Sequence, residues 1–209
     1  MAVRDALLVL LLNGPAYGFQ LHGGLAERTG GRRQVNVGQI YSTLDRLSGR
    51  GLVESAGETD DGLPLYRITA AGRAAAATWL AGEDATGADP WHETVDRVLI
   101  ALSMPSVEGA RVVEAERSRW TGRREAAAAA LGSASGAGIP AAGRRLAGLS
   151  AAADLGLAES ALHWLDEVAR TDAAGLAFAP SAERPRRGRR PAHADEGTAV
   201  VSAGHATDA

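Results

Sequence analysis

The first thirty residues carry two hydrophobic patterns separated by a turn. An apolar run extends from Arg4 to Leu12 and is interrupted by Asn13-Gly14-Pro15. It is too short to span a membrane, which takes about 20 apolar residues, so it predicts a helix within a protein core. From Tyr17 to Arg28, residues on one face recur every three or four positions, and Thr29-Gly30-Gly31 ends the pattern. This spacing predicts a second helix with one buried face.

The next segment predicts a third helix with one apolar and one polar face. Asn36 is a good N-cap, and Gly51 supplies the positive φ that commonly ends a helix. Gln39 stands where a capping box would place it, able to return a bond to the backbone of Asn36. Three large apolar residues form one stripe: Ile40, Leu44 and Leu47. The opposite face is small and mostly polar: Gly38, Gln39, Ser42, Asp45, Arg46 and Gly49.

Two strand-like segments follow, from Leu52 to Ala56 and from Leu65 to Thr69. The stretch between them is rich in turn residues, which predicts a β-hairpin. Three helices and a hairpin in this order predict a winged helix-turn-helix, in which the third helix would enter a DNA groove. The alternative is a helix and hairpin unit packed for stability alone.

Four motifs within residues 5–80 resemble the PadR family of bacterial transcriptional regulators. They are GP-x-YG at residues 14–18, G-x-[IL]-Y-x-x-L-x-R-L at 38–47, GL-[IV]-E at 51–54 and Y-x-[IL]-T-x-x-G at 66–72. The resemblance implies a homodimeric repressor whose recognition helices enter successive major grooves of a pseudo-palindromic operator. It also implies that Tyr41 touches the DNA backbone.

The side-chain chemistry of the third helix suggests how it would contact double-stranded DNA. The amide of Gln39 can pair with adenine through two hydrogen bonds, and the hydroxyls of Ser42 and Thr43 can bond to base edges. Basic residues near this helix are the candidate phosphate contacts, with a solvated turn as the alternative for the first three: Arg28, Arg32, Arg33, Arg46 and Arg67. The hairpin tip carries Glu58, Asp60 and Asp61, which would repel phosphate. This acidic tip supports a second function class, a winged-helix module that binds protein and does not read DNA.

A second, helical region is predicted after the wing. A helix from Ala70 to Leu80 and a hinge from Gly82 to Pro90 lead to helices over 92–104, 107–131 and 141–171. The alternative for the last segment is a pair of helices kinked near Gly156. Leu146, Leu149 and Ala153 belong to apolar faces that a helical hairpin could not bury by itself. DLGLAESALHWLDEVA resembles the C-terminal helical domain of longer PadR members, which implies dimerisation. Packing of these helices against their own winged helix is the alternative.

The expected organisation is therefore mainly α, with an α+β wing. We expect a winged helix-turn-helix domain at 1–81, an α-helical dimerisation domain at 90–173 and a disordered Arg/Pro/Ala-rich tail at 174–209. The tail contains PRRGRRP at 185–191, which resembles a minor-groove arginine hook with one arginine too many. A solvated tail is the favoured interpretation, and a DNA tether is the alternative.

Composition excludes several other classes of protein. The 209 residues carry a net charge of −3 and contain no cysteine, which rules out disulfides and Cys-ligated metals, and no catalytic or nucleotide-binding motif is present. We therefore expect a cytoplasmic protein that is not an enzyme and needs no cofactor, metal or membrane. Trp79 and Trp91 are candidates for stacking on a small aromatic effector, although packing is the commoner role of such residues.

Overall fold

The computed structural model describes residues 2–83, 89–133, 141–171 and 175–180. Seven α-helices and three strands are found in these ranges. The helices are α1 (Ala2–Leu10), α2 (Gly18–Arg28), α3 (Val37–Gly49), α4 (Ala70–Leu80), α5 (Pro90–Ser103), α6 (Gly109–Ser133) and α7 (Ala141–Arg170). The strands are β1 (Ala16–Tyr17), β2 (Val53–Glu58) and β3 (Pro64–Ile68), and a short 3₁₀ helix spans Leu11–Asn13.

The winged helix forms around α1, which is buried on almost all sides from Ala6 to Leu10. Its apolar residues pack against the inner faces of α2 and α3, including Leu25 and Leu44. This first core also takes in Trp79 from α4. The fold is the mainly α winged helix-turn-helix expected from the order of the sequence patterns.

The wing is a three-stranded antiparallel sheet in the order β1-β3-β2. Val53 pairs with Ile68 and Ser55 with Tyr66, as a hairpin requires. The third strand, β1, was not predicted: Ala16 pairs with Tyr66 and Tyr17 with Leu65. Two residues are too few to show the alternating pattern of a strand, so only the tertiary pairing reveals it.

Helix α5 belongs to both halves of the molecule. Ile100 enters the first core, as does Met104 just after the helix, whereas Val98 joins a second core with Trp120 of α6 and Leu165 of α7. Polar and charged side chains are buried between the two cores: Glu93, Thr94, Asp96, Arg97 and Glu116. The predicted boundary between a DNA-binding domain and a helical domain is therefore bridged by α5, although residues 84–88 of the expected hinge lie outside the described residues.

Helices α6 and α7 form the expected hairpin, and α7 is one uninterrupted helix through Gly156. One stripe of α7 faces solvent at Leu146, Leu149, Ala153 and Leu157, with Leu146 68% and Leu149 69% exposed. Spacings of three, four and four place these side chains on a single face. The exposed stripe belongs to the apolar faces that, from the sequence, a helical hairpin could not bury by itself.

The described residues beyond α7 require a correction to the expected tail. Residues 175–180, which we call the strap, return to the winged helix, where the Phe178 amide donates to the Ser103 carbonyl at 3.2 Å. A disordered tail was predicted for 174–209. Within that range, residues 175–180 are ordered, because Phe178 anchors them to Ser103. The remaining tail, 181–209, lies outside the described residues.

Over the part of the chain that the structure describes, no helix combines the length and the apolar character needed to cross a membrane.

Candidate nucleic-acid interface

Local signals define the recognition helix α3 at both ends. The Asn36 side chain accepts a hydrogen bond from the Gln39 amide at 2.7 Å, which satisfies one of the free N–H groups of the first turn. At the other end, Gly51 has φ 68°, and the Leu52 amide bonds back to the Leu47 carbonyl at 3.0 Å. This is the glycine-terminated helix end that the sequence predicted.

The outer face of α3 presents Ser42 and Arg46 to solvent, with Gln39 partly exposed. Ser42 Oγ donates to the Gln39 carbonyl at 3.1 Å, and Arg46 Nε donates to the Ser42 carbonyl at 3.0 Å. Arg46 therefore lies along its own helix. Since it is exposed, turning outward toward a phosphate costs it only weak local bonds.

Thr43 does not belong to this face, so its assignment as a base-reading residue is corrected. Its side chain is 4% exposed, and its hydroxyl donates to the Gln39 carbonyl at 2.7 Å. Position 43 is three residues after Ile40 and four before Leu47, which places it within the buried stripe. The hydroxyl is satisfied by its own helix and does not point toward a groove.

Tyr41 packs over the start of α2. A Cβ atom built on Gly18 would lie 2.6 Å from the Tyr41 ring, closer than any side chain permits. The Tyr41 ring therefore occupies the space that a side chain at position 18 would need, which accounts for the glycine of the GP-x-YG motif. Tyr66 of the wing lies nearby, and burial, followed by the charge of Asp45, raises the pKa of its hydroxyl.

Arg28 is buried, so its assignment as a phosphate contact is also corrected. The side chain is 4% exposed, and its guanidinium donates to the carbonyls of Ser103 and Phe178, the latter at 2.8 Å. It also lies 4.2 Å from the centre of the Phe178 ring. Burial lowers the pKa of Arg28. The residue connects the winged helix to the strap.

Arg32 and Arg33 occupy the turn before α3 but differ in their surroundings. Arg32 is exposed, whereas Arg33 Nε donates to Asp96 of α5 at 2.5 Å. Burial raises the pKa of the Asp96 carboxyl, although the hydrogen bond and the charge of Arg33 act in the opposite direction. Both arginines and His92 line an open cleft of about 300 Å³. Arg32 is thus the member of the predicted cluster that is available to a phosphate.

The charged side chains of the wing lie where the sequence suggested, with acidic residues at the tip and Arg67 on the returning strand. Arg67 is exposed and pairs across the strands with Glu54 at 2.7 Å, an ion pair that contributes little in solvent. Glu58, Asp60 and Asp61 at the tip are exposed. Arg67 can reach a phosphate only by leaving Glu54, so the wing offers DNA a weaker surface than α3 does.

Two basic residues near the end of α3 were not among the predicted phosphate contacts. Arg4 of α1 and Arg50, just after α3, line a cavity of about 140 Å³ together with Arg46. Arg46 and Arg50 are four residues apart, a signal that was readable in the sequence. Arg4 is brought to them only by the tertiary packing of α1 against α3. Cations at this position complement the negative end of the α3 dipole.

The two candidate effector residues lie in different environments. Trp79 is 3% exposed, and its indole N–H donates to Glu93 at 2.9 Å. It belongs to the first core, so its assignment as an effector contact is corrected. Trp91 is partly exposed and packs edge-on against Trp120 and Trp164, with ring centres 6.1 Å and 5.3 Å apart.

A metal site is not apparent in the described ranges, because no three His, Asp or Glu side chains in them come together as ligands.

The model of the transcriptional regulator PadR-like family matches residues 7–78. None of the curated proteins is significantly similar to the chain. Similar solved structures include Bacillus subtilis PadR in complex with operator DNA, at 16% identity and a TM-score of 0.36, covering 79% of this chain and 96% of that chain. Another is the same protein in complex with p-coumaric acid, at 16% identity and a TM-score of 0.34, covering 80% and 93%. The virulence activator AphA of Vibrio cholerae is 23% identical with a TM-score of 0.34, covering 79% and 95%.

Proposed function

We propose that this chain, whose residues 7–78 match the model of the transcriptional regulator PadR-like family, is a sequence-specific DNA-binding regulator. The proposal includes repression, in the cytoplasm, of genes next to a pseudo-palindromic operator. The observation that carries it is the outer face of α3: capped at Asn36, small at Gly38 and polar at Gln39 and Ser42. A helix of this kind fits a major groove and presents hydrogen-bonding groups to base edges.

Base readout is assigned to Gln39 and Ser42. Backbone contact is assigned to the exposed arginines around them, together with the Tyr41 hydroxyl: Arg32, Arg46, Arg50 and Arg67. The net charge of −3 does not oppose this role, because affinity for DNA follows the local charge. Arg33 forms an ion pair with Asp96. We therefore assign it the role of joining the turn before α3 to α5.

Homodimerisation is part of the proposal. The exposed leucine stripe of α7 supports it, since a second copy would bury this face by two-fold symmetry. A dimer would also join two half-site readers on one operator. For release by a small aromatic effector, the supporting feature is Trp91, which is partly exposed beside two further indole rings.

The test compares Gln39→Ala with Arg32→Ala on duplex DNA from upstream of the gene and on a random duplex. Loss of the Gln39 amide should cost about 1–3 kcal/mol on the specific site and leave random binding unchanged. Loss of Arg32 should weaken binding to both duplexes equally and lower the slope of log K against log salt by about 1. Fluorescence anisotropy over a salt series measures both effects.

Gln34→Ala serves as the matched control, because Gln34 is an exposed glutamine in the turn before α3. It should bind as the unchanged protein does. If Gln39→Ala keeps its full preference for the upstream duplex, the readout assignment is wrong. If the unchanged protein shows no preference at all, the acidic wing tip favours the alternative, a winged-helix module that binds protein.

A further inference from the structure

The cavity of about 140 Å³ at the end of α3, which we call the arginine cavity, combines a buried floor with an exposed rim. Thr43 and Leu47 form the floor, and both are almost fully buried. The rim consists of Arg4, Arg46 and Arg50, all of them exposed. No carboxylate is among the described residues that line the cavity. Three guanidinium groups therefore border one space that has no acidic side chain in its wall.

Local hydrogen bonds hold Arg46 at the arginine cavity. Its Nε donates to the Ser42 carbonyl at 3.0 Å, and its Nη2 donates to the Thr43 hydroxyl at 3.2 Å. That hydroxyl in turn donates to the Gln39 carbonyl at 2.7 Å, so its own direction is fixed by the helix. Arg46 Nη1 has no bond to the described residues. The guanidinium is thus oriented before any ligand binds, with donors left over for one.

A buried acid holds Arg4 in a similar way. Both Nε and Nη2 of Arg4 donate to Asp5 Oδ1, at 2.9 and 2.6 Å. Asp5 is 1% exposed, and burial of a carboxylate is costly without a partner, so this pairing fixes one edge of the guanidinium. In the part of the chain that the structure describes, Arg4 Nη1 remains without a bond. Arg4 therefore also keeps a donor for a ligand.

Arg50 is the third basic residue and the least constrained one. Its side chain is exposed and makes no hydrogen bond or ion pair with the described residues. Arg50 follows Arg46 by four positions, and Arg46 follows the exposed Ser42 by four, which places the three side chains on one side of α3. The arginine cavity is therefore continuous with the outer face of the recognition helix.

The positive charge at the arginine cavity exceeds what its surroundings compensate. The C-terminal end of a helix carries about half a negative charge, and Asp5 adds one more. Three guanidinium groups together carry more charge than these two can balance. An anion between the three groups would remove their mutual repulsion and accept their remaining hydrogen bonds.

The size of the cavity and the kind of side chain identify the anion. Pockets for drug-sized molecules measure about 300–1,000 Å³, so a cavity of about 140 Å³ suits a single chemical group. Guanidinium groups match the oxygens of phosphate in geometry, and a tetrahedral phosphate can accept from several of them at once. A planar carboxylate has only two oxygens for three arginines. Phosphate is therefore the group that fits.

We propose that the arginine cavity binds one phosphate group through Arg4, Arg46 and Arg50, with Thr43 as the residue that positions Arg46. The backbone of DNA on α3 and a small phosphorylated molecule offer the same chemistry. If DNA supplies the phosphate, the inference deepens the proposed function, rests on it and adds Arg4 of α1 to the backbone contacts. If a small molecule supplies it, the site is independent of DNA binding.

The first experiment uses inorganic phosphate and the full chain without DNA. The chain is titrated with sodium phosphate at constant ionic strength, and the arginine Nε–H signals are followed by NMR. The signals of Arg4, Arg46 and Arg50 should shift together and saturate with one affinity. Arg50→Gln should weaken this binding about tenfold, as expected for the loss of one charge-assisted hydrogen bond.

Arg124→Gln is the matched control for the phosphate titration. Arg124 is an exposed arginine of α6, so the variant has the same change in charge at a different place. It should bind phosphate as the unchanged chain does. Thermal unfolding checks each variant, because Arg4→Gln removes the partner of the buried Asp5. Arg50→Gln has no such partner to lose, so it keeps the test decisive if Arg4→Gln does not fold.

The second experiment shows whether DNA supplies the phosphate. Binding to the upstream duplex and to a random duplex is measured over a salt series for Arg4→Gln, Arg50→Gln and their combination. The combined variant should lower the slope of log K against log salt by about 0.9 on both duplexes, because the two arginines share one phosphate. Arginines on separate phosphates would lower it by about 1.8. An unchanged slope together with saturable phosphate binding assigns the cavity to a small phosphorylated molecule.

Two results would overturn the inference. One is the absence of saturable shifts with inorganic phosphate together with an unchanged salt slope. The other is a fall in slope of about 1.8 in the combined variant, which would place the two arginines on separate phosphates. If the unchanged chain binds both duplexes equally, the proposed operator recognition fails, whereas the phosphate titration still tests the arginine cavity.

Discussion

Three arginines that look alike in the sequence have different roles in the structure. Arg28, Arg32 and Arg33 form one basic cluster along the chain, yet only Arg32 is freely exposed. Arg28 follows Leu21 and Leu25 at spacings of four and three, so helical geometry turns it inward. Arg33 pairs with Asp96, a residue 63 positions away. Charge composition alone does not identify a phosphate contact.

Gly18 offers a prediction at the scale of a single residue. Gly18→Ala should push the Tyr41 ring aside, because the new Cβ would lie 2.6 Å from it. We expect a loss of about 1–3 kcal/mol in the free energy of unfolding, as for other overpacked sites. We also expect DNA binding to weaken on all sequences, with a salt slope lower by about 1 if Tyr41 contacts a phosphate. Urea unfolding and anisotropy measure the two effects.

Gly23→Ala is the matched control for this change. Gly23 lies in the same helix, and a Cβ there would meet nothing within 4 Å. Alanine is a better helix former by about 1 kcal/mol, so this variant should be as stable as the parent or more so. Equal DNA binding by the two alanine variants would contradict the role given to Tyr41.

At the scale of single elements, local sequence determined most of the helices. The bounds of α4 were predicted to the residue, and those of α3 closely, because caps and glycines mark helix ends within a few positions. For α7, Gly156 suggested a kink or a pair of helices. Packing against α6 keeps it a single helix of 30 residues. Local signals predict where a helix can stop, and tertiary contacts decide whether it does.

The exposed stripe of α7 gives a prediction about dimerisation. Leu146→Ser with Leu149→Ser should weaken dimerisation by roughly a hundredfold or more, because four buried leucines would be lost from a symmetric interface. Sedimentation velocity over a concentration series measures the shift. The monomer should keep its helical content, since both side chains are more than two-thirds exposed in the single chain.

Glu159→Gln, an exposed substitution elsewhere on α7, should not change the oligomeric state. If the leucine variant and the parent have the same distribution of species, this stripe is not the dimer interface.

At the scale of the whole molecule, α5 joins the winged-helix half to the helical half. Its buried polar residues contact both sides: Glu93 accepts from Trp79 at 2.9 Å, and Thr94 donates to Glu116 at 2.8 Å. Arg97 also bonds to Glu116. Such a layer is stable only when its groups satisfy one another, so the two halves are held in one relative arrangement.

Asp96 provides a prediction about pH. Its pKa is raised from 3.8 by burial, so its contribution to stability is present below pH 3.8 and is lost as the pH rises through the raised value. The nearby charges are Arg33 and Arg32, which lower the pKa, and Glu93, which raises it. Compared with Asp96→Asn, the unchanged protein should become less stable as the pH rises from 3.8 through the raised pKa of Asp96.

Urea unfolding of both proteins at each pH gives the comparison, because all other titrating groups cancel in the difference. The opposite result is that the free energy of unfolding of the unchanged protein increases relative to that of Asp96→Asn as the pH rises. It would show that the ion pair with Arg33 affects the pKa of Asp96 more than burial does.

The sequence by itself determined the elements and their order, because helix caps, glycine stops and hydrophobic periods act over a few residues. It also predicted the third helix and placed Gln39, Ser42 and Arg46 on its outer face. Tertiary structure decided which basic residues remain available: it buried Arg28 under Phe178, paired Arg33 with Asp96 and brought Arg4 to the end of α3. Those outcomes depend on contacts between distant parts of the chain, and burial there sets the energy of each charge.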